Sequence, residues 1–316
     1  MEMRRVGSLE VSVVGLGCNN FGRHLPLGEV KAVVHAAIDA GVTLFDTADV
    51  YYGVEGASEV LLGEAVRDLR DSVVIATKFG KPHPQGDSGW GGGSRAWVRR
   101  AVEASLRRLG TDRIDLYQLH EPDPEVPISE TLGALGELTV EGKIREIGHS
   151  NFSSAQMVDA HRVATVAGTE PFASTQVEWN LLERESEATV IKSAEELGLL
   201  VLPFFPLSSG LLTGKYFTKS PDPSWRLSKI PNRSRFINEE RLHTARLLDD
   251  LARQHGHSLL ELAFSWLASQ RVVASVIAGA TRPAQIELNA GAAAWQLDDD
   301  ILAAVDALTL RDRGEE

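Results

Sequence analysis

A chain of 316 residues with a formal net charge of −12 suits neither nucleic acid nor an anionic membrane, since both demand a basic face. With 43% hydrophobic and 24% charged residues it has the make-up of a globular protein, and enough material for two average domains or one large α/β barrel. Its single cysteine, Cys18, rules out an internal disulfide and fits a reducing compartment.

The start, "MEMRRVGSLE", lacks the apolar stretch of a signal peptide. The longest apolar run, residues 198–207, is too short for a bilayer and contains two prolines, so a cytoplasmic location is expected. "RRVGSL" is expected to pair with "EVSV" as a small N-terminal hairpin. Near-continuous apolar strand candidates then follow at 11–17, 42–47, 72–78, 114–120, 144–150, 173–179, 199–204 and 275–280, as strands buried on both faces should read.

Helical periodicity fills the gaps. Val30, Val33, Val34, Ala37 and Ile38 fall on one face, and Gly41 supplies a stop. Trp97, Val98, Ala101, Leu106 and Leu109 repeat the design up to Gly110, and "ESEATVIKSAEELG" repeats it up to Gly198. Extra helical stretches at about 239–271 and 298–309 exceed one helix per strand. No tandem repeat or low-complexity tract divides the chain, so a single domain over 1–316 is expected. The alternation predicts a (β/α)8 TIM barrel with an N-terminal hairpin and extra C-terminal helices. The alternative is a doubly wound open sheet.

Residues 80–94 and 216–238 read as long structureless loops, either surface excursions or lids. The second is basic, with Lys219, Arg226, Lys229, Arg233 and Arg235, and would suit a cover for a phosphate-bearing ligand.

Polar groups cluster where the strands stop. Asp46 ends the second, Lys78 the third, His120 the fourth, and Ser150 with Asn151 the fifth, while Gln176 lies on the sixth. Each alone has an ordinary structural explanation, but a parallel barrel would bring them all to one face. A lysine beside a tyrosine would lower the phenol's pKa, an aspartate would hold the lysine charged, and a histidine would orient a carbonyl.

"FDTADVYYG", "IATKFG", "DLYQLHEPDP", "GKIREIGHSNFS", "TQVEWNLLERE", "FFPLSSGLLTGKY" and "SVIAGATRPAQIELN" occur in order along nearly the whole chain. Together they resemble the aldo-keto reductase superfamily. That resemblance implies a barrel enzyme that binds NADP(H) without a Rossmann domain and reduces an aldehyde or ketone to the alcohol. It places a catalytic set on Asp46, a tyrosine, Lys78 and His120. It places the nicotinamide on Ser150, Asn151, Gln176 and the ring of Phe204, next to Gly17 and Cys18. Leu207, Ser209, Gly210 and Lys215 match its pyrophosphate loop, and Gly279, Thr281, Arg282, Gln285 and Asn289 its adenosine segment. Gly279 stands where some members carry a lysine, leaving Arg282 for a 2′-phosphate. His149 falls where an apolar residue is expected.

The tyrosine has two candidates. The family's spacing counted forward from Asp46 gives Tyr51, whereas counting back from "GASEVLLG" points past Tyr52. The link from Asp46 to the phenol is the constrained one and the following loop absorbs insertions, so Tyr51 is expected as proton donor. Tyr52, Trp90 and Trp225 are expected to line the substrate pocket, with Trp179 there or in the core. No metal-ligand spacing appears. "GLGCNNFG" offers Gly15 and Gly17 to a Rossmann reading but has Asn20 where the third glycine belongs. A cofactor-binding regulatory subunit of the same fold is the other alternative.

Overall fold

The computed structural model describes residues 1–52, 56–82, 91–218, 220–223, 225–230 and 232–310. The chain opens with an antiparallel pair, β1 (Met3–Val6) and β2 (Leu9–Ser12). Eight parallel strands follow: β3 (Val14–Gly17), β4 (Leu44–Asp46), β5 (Val74–Phe79), β6 (Ile114–Leu119), β7 (Ile144–Ser150), β8 (Ser174–Glu178), β9 (Leu200–Phe204) and β10 (Val276–Gly279). They pair in sequence order, and β10 pairs β3 to close the ring. Closure overturns the doubly wound alternative and, with it, the Rossmann reading.

Helices lie between the strands: α1 (Leu27–Asp39), α2 (Ala57–Val66), α3 (Arg95–Leu109), α4 (Ile128–Val140), α5 (Ser154–Ala167) and α6 (Lys192–Leu197). Beyond β9 come α7 (Arg226–Lys229), α8 (Glu239–Gln254), α9 (Leu259–Ser269), α10 (Pro283–Gly291) and α11 (Asp299–Thr309). The apolar stripe read on α1 is buried at Val30, Val33, Val34 and Ala37. Gly110 and Gly198 end α3 and α6 in the left-handed region, where a side chain would be strained.

Three expected boundaries move. The run 11–17 is cut at Val13, because Leu9 to Ser12 pair with β1 while Val14 to Gly17 enter the barrel. The hairpin turn therefore falls on Gly7 and Ser8, and Leu9 belongs to the second strand. The reason lies in burial: Val6, Leu9 and Val11 pack with Leu44, Ala76, Leu116 and Leu202 and plug the barrel's floor. Second, the helix expected over 239–271 is two, broken at Gly256 (φ 78°) and restarted by a Ser258–Glu261 capping box. Third, the loop over 216–238 is not structureless, because it carries α7, and the Leu227 backbone N–H donates to the Tyr216 hydroxyl at 2.9 Å.

His149 acquires a role. Its side chain leaves the barrel lumen and stacks on Phe152 at 4.3 Å, with Phe172 edge-on at 4.9 Å. It serves as an aromatic core residue between the barrel and its helices. Burial holds its pKa down at about 3, against an ordinary 6.5.

Below pH 6.5 the unfolded chain therefore binds a proton that the fold rejects. Stability tied to neutral His149 is complete above that pH and drains away as the pH falls toward 3. His149→Phe keeps the stack and removes this loss. Between pH 6.5 and about 5, the variant should lose about 2 kcal/mol less unfolding free energy in urea than the parent chain. Parallel pH profiles for the two proteins would refute this account.

Candidate active site

The C-terminal strand ends converge on one ammonium group. Lys78, on β5, is completely buried, and its Nζ donates to Asp46 Oδ2 at 2.6 Å and to the Thr47 carbonyl at 2.9 Å. Asp46 closes β4, so two neighbouring strands deliver the ion pair. Its other oxygen, Oδ1, accepts from Gln176 Nε2 at 2.9 Å and Gln118 Nε2 at 3.2 Å. The sequence reading assigned nothing to Gln118, although its position two residues before His120 puts it on the same inward face of β6. Gly148 makes room for it, since a Cβ there would come within 3.2 Å of Gln118 Cγ.

The two tyrosines part company. Tyr51 turns inward: its ring lies 5.3 Å from Lys78 Nζ and edge-on to His120 at 6.0 Å. The Lys78 charge acts directly on the Tyr51 phenol. Tyr52 takes a left-handed backbone (φ 56°), and its hydroxyl accepts from Arg23 Nη1 at 2.9 Å. Reversed backbone handedness at one residue is what sends adjacent phenols to different partners.

The electrostatics correct one expectation. Burial pushes the Tyr51 phenol above its ordinary 10; the Lys78 charge opposes this, and Asp46 adds to the rise. Burial outweighs the lysine, so the net shift is upward and the phenol holds its proton at neutral pH. Burial lowers the Lys78 pKa, but Asp46 and Tyr51 more than reverse this and keep it cationic. His120 is pushed well below the usual histidine range by burial, then by Lys78 and Lys81, and is therefore neutral. Its Nδ1 is buried without a partner.

Around this centre lie most of the residues expected at a nicotinamide. Ser150 Oγ donates to the Gln176 carbonyl at 2.9 Å, and Asn151 (φ 61°) donates through Nδ2 to the His120 carbonyl at 3.0 Å. Phe204 ends β9, edge-on to Phe205 at 5.2 Å. In the loop after β9, Ser209 and Gly210 have positive φ, and the buried Ser208 and Ser209 hydroxyls have no partner. Leu207 immediately precedes this turn. The segment after β10 is tied by Gln285 Oε1, which accepts from the Thr281 backbone N–H at 2.8 Å and its hydroxyl at 3.0 Å. Arg282 is exposed at the start of α10 and Asn289 is buried on it. A Cβ at Gly279 would lie 3.1 Å from Asn20 Nδ2.

Other expected positions go elsewhere. Cys18, beside Gly17 at the end of β3, is fully buried: its N–H donates to the Asp46 carbonyl and its own carbonyl accepts from Ser58 Oγ, each at 2.8 Å. Its polar backbone is thus spent on the fold. Trp225 packs edge-on against Tyr216 at 5.2 Å, with Lys215 Nζ 5.6 Å from its ring, so it sits on the Lys215 side of the mouth. Trp179 is core, edge-on to Trp266. Trp90 and Lys219 lie outside the described residues. Among the described residues no group of three or more His, Cys, Asp or Glu could hold a metal ion, and no helix is long and apolar enough to cross a membrane.

Residues 13–309 match the model of the Aldo/keto reductase family. The chain is 33% identical over 301 residues to "Probable aldo-keto reductase 1" of Glycine max, covering 94% of this chain and 85% of that protein. It is 32% identical over 308 residues to "L-glyceraldehyde 3-phosphate reductase" of Escherichia coli K12, covering 92% and 86%.

The buried ion pair has a measurable consequence that does not depend on turnover. Lys78→Met strands the Asp46 carboxylate and should destabilise the fold by about 3–5 kcal/mol in urea unfolding. Adding Asp46→Asn should recover part of that loss. Strictly additive single and double variants would mean that the two groups are not coupled.

Proposed function

The chain belongs to the Aldo/keto reductase family and is an oxidoreductase of carbonyl compounds, and we propose that it reduces an aldehyde or ketone to the alcohol with NADP(H), Tyr51 giving the proton. The observation that carries this reading is the convergence of Asp46 and Tyr51 on the single buried ammonium of Lys78. The residues present fit the cofactor. Ser150 and Asn151 bring side-chain donors and acceptors to the mouth, and Gln176, whose Nε2 is engaged by Asp46, keeps its Oε1 for a carboxamide. Phe204 offers an aromatic face. The unpartnered hydroxyls of Ser208 and Ser209 and the cations Lys215 and Arg282 suit phosphates, and Arg282 is close enough to help depress the Lys215 pKa. When bound, the nicotinamide supplies the hydride.

The chain's own part is to hold and move one proton. Burial keeps the Tyr51 phenol protonated, which a donor to a developing alkoxide needs. The Lys78 ammonium stabilises the phenolate left behind, and Asp46 fixes that ammonium in place. Neutral His120, edge-on to Tyr51, directs the carbonyl oxygen toward the phenol without competing as an acid. The alternative of a cofactor-binding subunit without turnover gains no support from this arrangement, in which a proton donor and its stabilising cation are both in place.

With NADPH and a simple aldehyde, Tyr51→Phe should lower kcat by about 10²–10⁴ while the NADPH dissociation constant stays within about threefold. Tyr52→Phe should keep far more activity; if it is the dead variant, the assignment of the donor is wrong. Tight NADPH binding with no consumption in the parent protein would instead favour the subunit. Separately, Arg282→Ala should weaken NADPH about tenfold more than NADH, as expected for a lost charge-assisted contact to the 2′-phosphate. Equal losses would remove Arg282 from that role.

A further inference from the structure

Around Tyr52 and Phe205 lie cations that the mechanism leaves unused. The Arg23 guanidinium sits 5.2 Å from the centroid of the Tyr52 ring while bonding to that residue's hydroxyl. The Arg226 guanidinium sits 5.3 Å from the centroid of the Phe205 ring. Both aromatic residues have left-handed backbones, Tyr52 at φ 56° and Phe205 at φ 53°. The two pairs are neighbours, because Arg226 feels the charges of both Tyr52 and Arg23. His24 is close to both arginines and to Lys229.

No carboxylate answers them among the described residues. Among the described residues, burial apart, Tyr52, Arg23 and Tyr216 act on half-buried Arg226, and none of them is an acid. Nearby Arg235 and Arg241, by contrast, are paired with Glu178 and Glu183. Clustered like charges repel, and two bulky residues held at positive φ add strain of about 1–3 kcal/mol each. Arginine stacking on aromatics recovers only part of this, about 0.5–1 kcal/mol per contact. In a chain of net charge −12, which has acids to spare, such a cluster is what an anionic ligand would complete.

We propose that Arg23 and Arg226, carried on Tyr52 and Phe205, bind the anionic end of the substrate, a phosphate or carboxylate a few atoms from the reacting carbonyl. The assignment rests on the carbonyl-reductase reading of the same site. Tyr52, which holds Arg23, follows Tyr51 directly in the chain, so an anion at Arg23 would sit on the side of the mouth next to the proton donor. The planar guanidiniums suit two-point recognition of either anion.

Arg23→Gln and Arg226→Gln are assayed with NADPH against glyceraldehyde 3-phosphate, succinic semialdehyde and neutral glyceraldehyde. In parallel, NADPH affinity is read by fluorescence, and glycerol 3-phosphate is titrated calorimetrically onto the NADP+-loaded protein. In each variant the ratio of kcat/KM for an anionic aldehyde to that for glyceraldehyde should fall by about tenfold or more. A fall confined to the phosphorylated or to the carboxylated aldehyde identifies the anion. Glycerol 3-phosphate binding should be lost in the phosphate case. A variant that merely displaced Tyr51 would slow all three aldehydes alike and leave the ratio unmoved, which would overturn the proposal. Equal losses that track a weakened NADPH affinity would also overturn it, by assigning the arginines to the cofactor. If the parent protein reduces no aldehyde, the enzymatic reading falls, and calorimetric titration of glycerol 3-phosphate and of 4-hydroxybutyrate decides the subsite: heat from either that Arg23→Gln abolishes sustains it, and no heat from both in the parent protein ends it.

Discussion

Everything at the mouth of this barrel is arranged around one buried ammonium. An unpaired lysine inside a protein gives up its proton or unfolds the structure, so Lys78 can remain charged only where the fold supplies Asp46 at 2.6 Å and a carbonyl at 2.9 Å. Asp46 has its own requirement, because a buried carboxylate oxygen left bare is costly; Gln118 and Gln176 meet it from strands β6 and β8. The polar network thus ties four of the eight barrel strands together. A slip of one residue in any of them would turn its side chain out of the lumen and break the network.

The ion pair also sets the chemical state of its neighbours. Tyr51 and His120 both lie within reach of the Lys78 charge, and burial acts on both. For the phenol the two influences oppose each other and burial wins, so it stays protonated. For the imidazole they reinforce each other, so it stays neutral. The site therefore rests with a neutral proton donor, a neutral histidine and a fixed positive charge, which is the starting condition for donating a proton to an oxygen that is gaining negative charge.

The fold was legible because both levels of pattern agree. Strands buried on both faces leave continuous apolar runs, and the helices between them leave a 3.6-residue stripe, as Val30, Val33, Val34 and Ala37 do. Asp46, Lys78 and His120 were legible because strand-end polarity interrupts those runs. The break at Val13 was not, because a hairpin plug and a barrel strand are equally apolar and only their partners differ. Gln118 escaped notice because it sits inside a strand, where its partner, Asp46, is 72 residues away. The sign of the Tyr51 shift depends on how deeply a half-covered ring is desolvated, a tertiary quantity that spacing does not encode. His149 was opaque for a related reason: its aromatic partners, Phe152 and Phe172, meet it only in the packed layer outside the barrel.

Charge is distributed unevenly for a reason that the same physics supplies. Over most of the described surface, arginines and lysines are matched to the abundant acids, as Arg95 and Arg99 are to Glu137 and Lys81 is to Glu121. On the Tyr52 side of the mouth, among the described residues, Arg23, His24 and Arg226 lie near one another and near the phenol of Tyr52, with no acid paired to them. Lys215, eleven residues before Arg226, has its pKa lowered by burial and then by Arg226 and Arg282. A protein with net charge −12 repels anions at long range, and a Debye length of about 8 Å confines any local correction to the immediate surroundings of the site. A local group of cations such as Arg23, Arg226 and Lys215 offsets that repulsion only in its own surroundings, and leaves the rest of the acidic surface unattractive to anions.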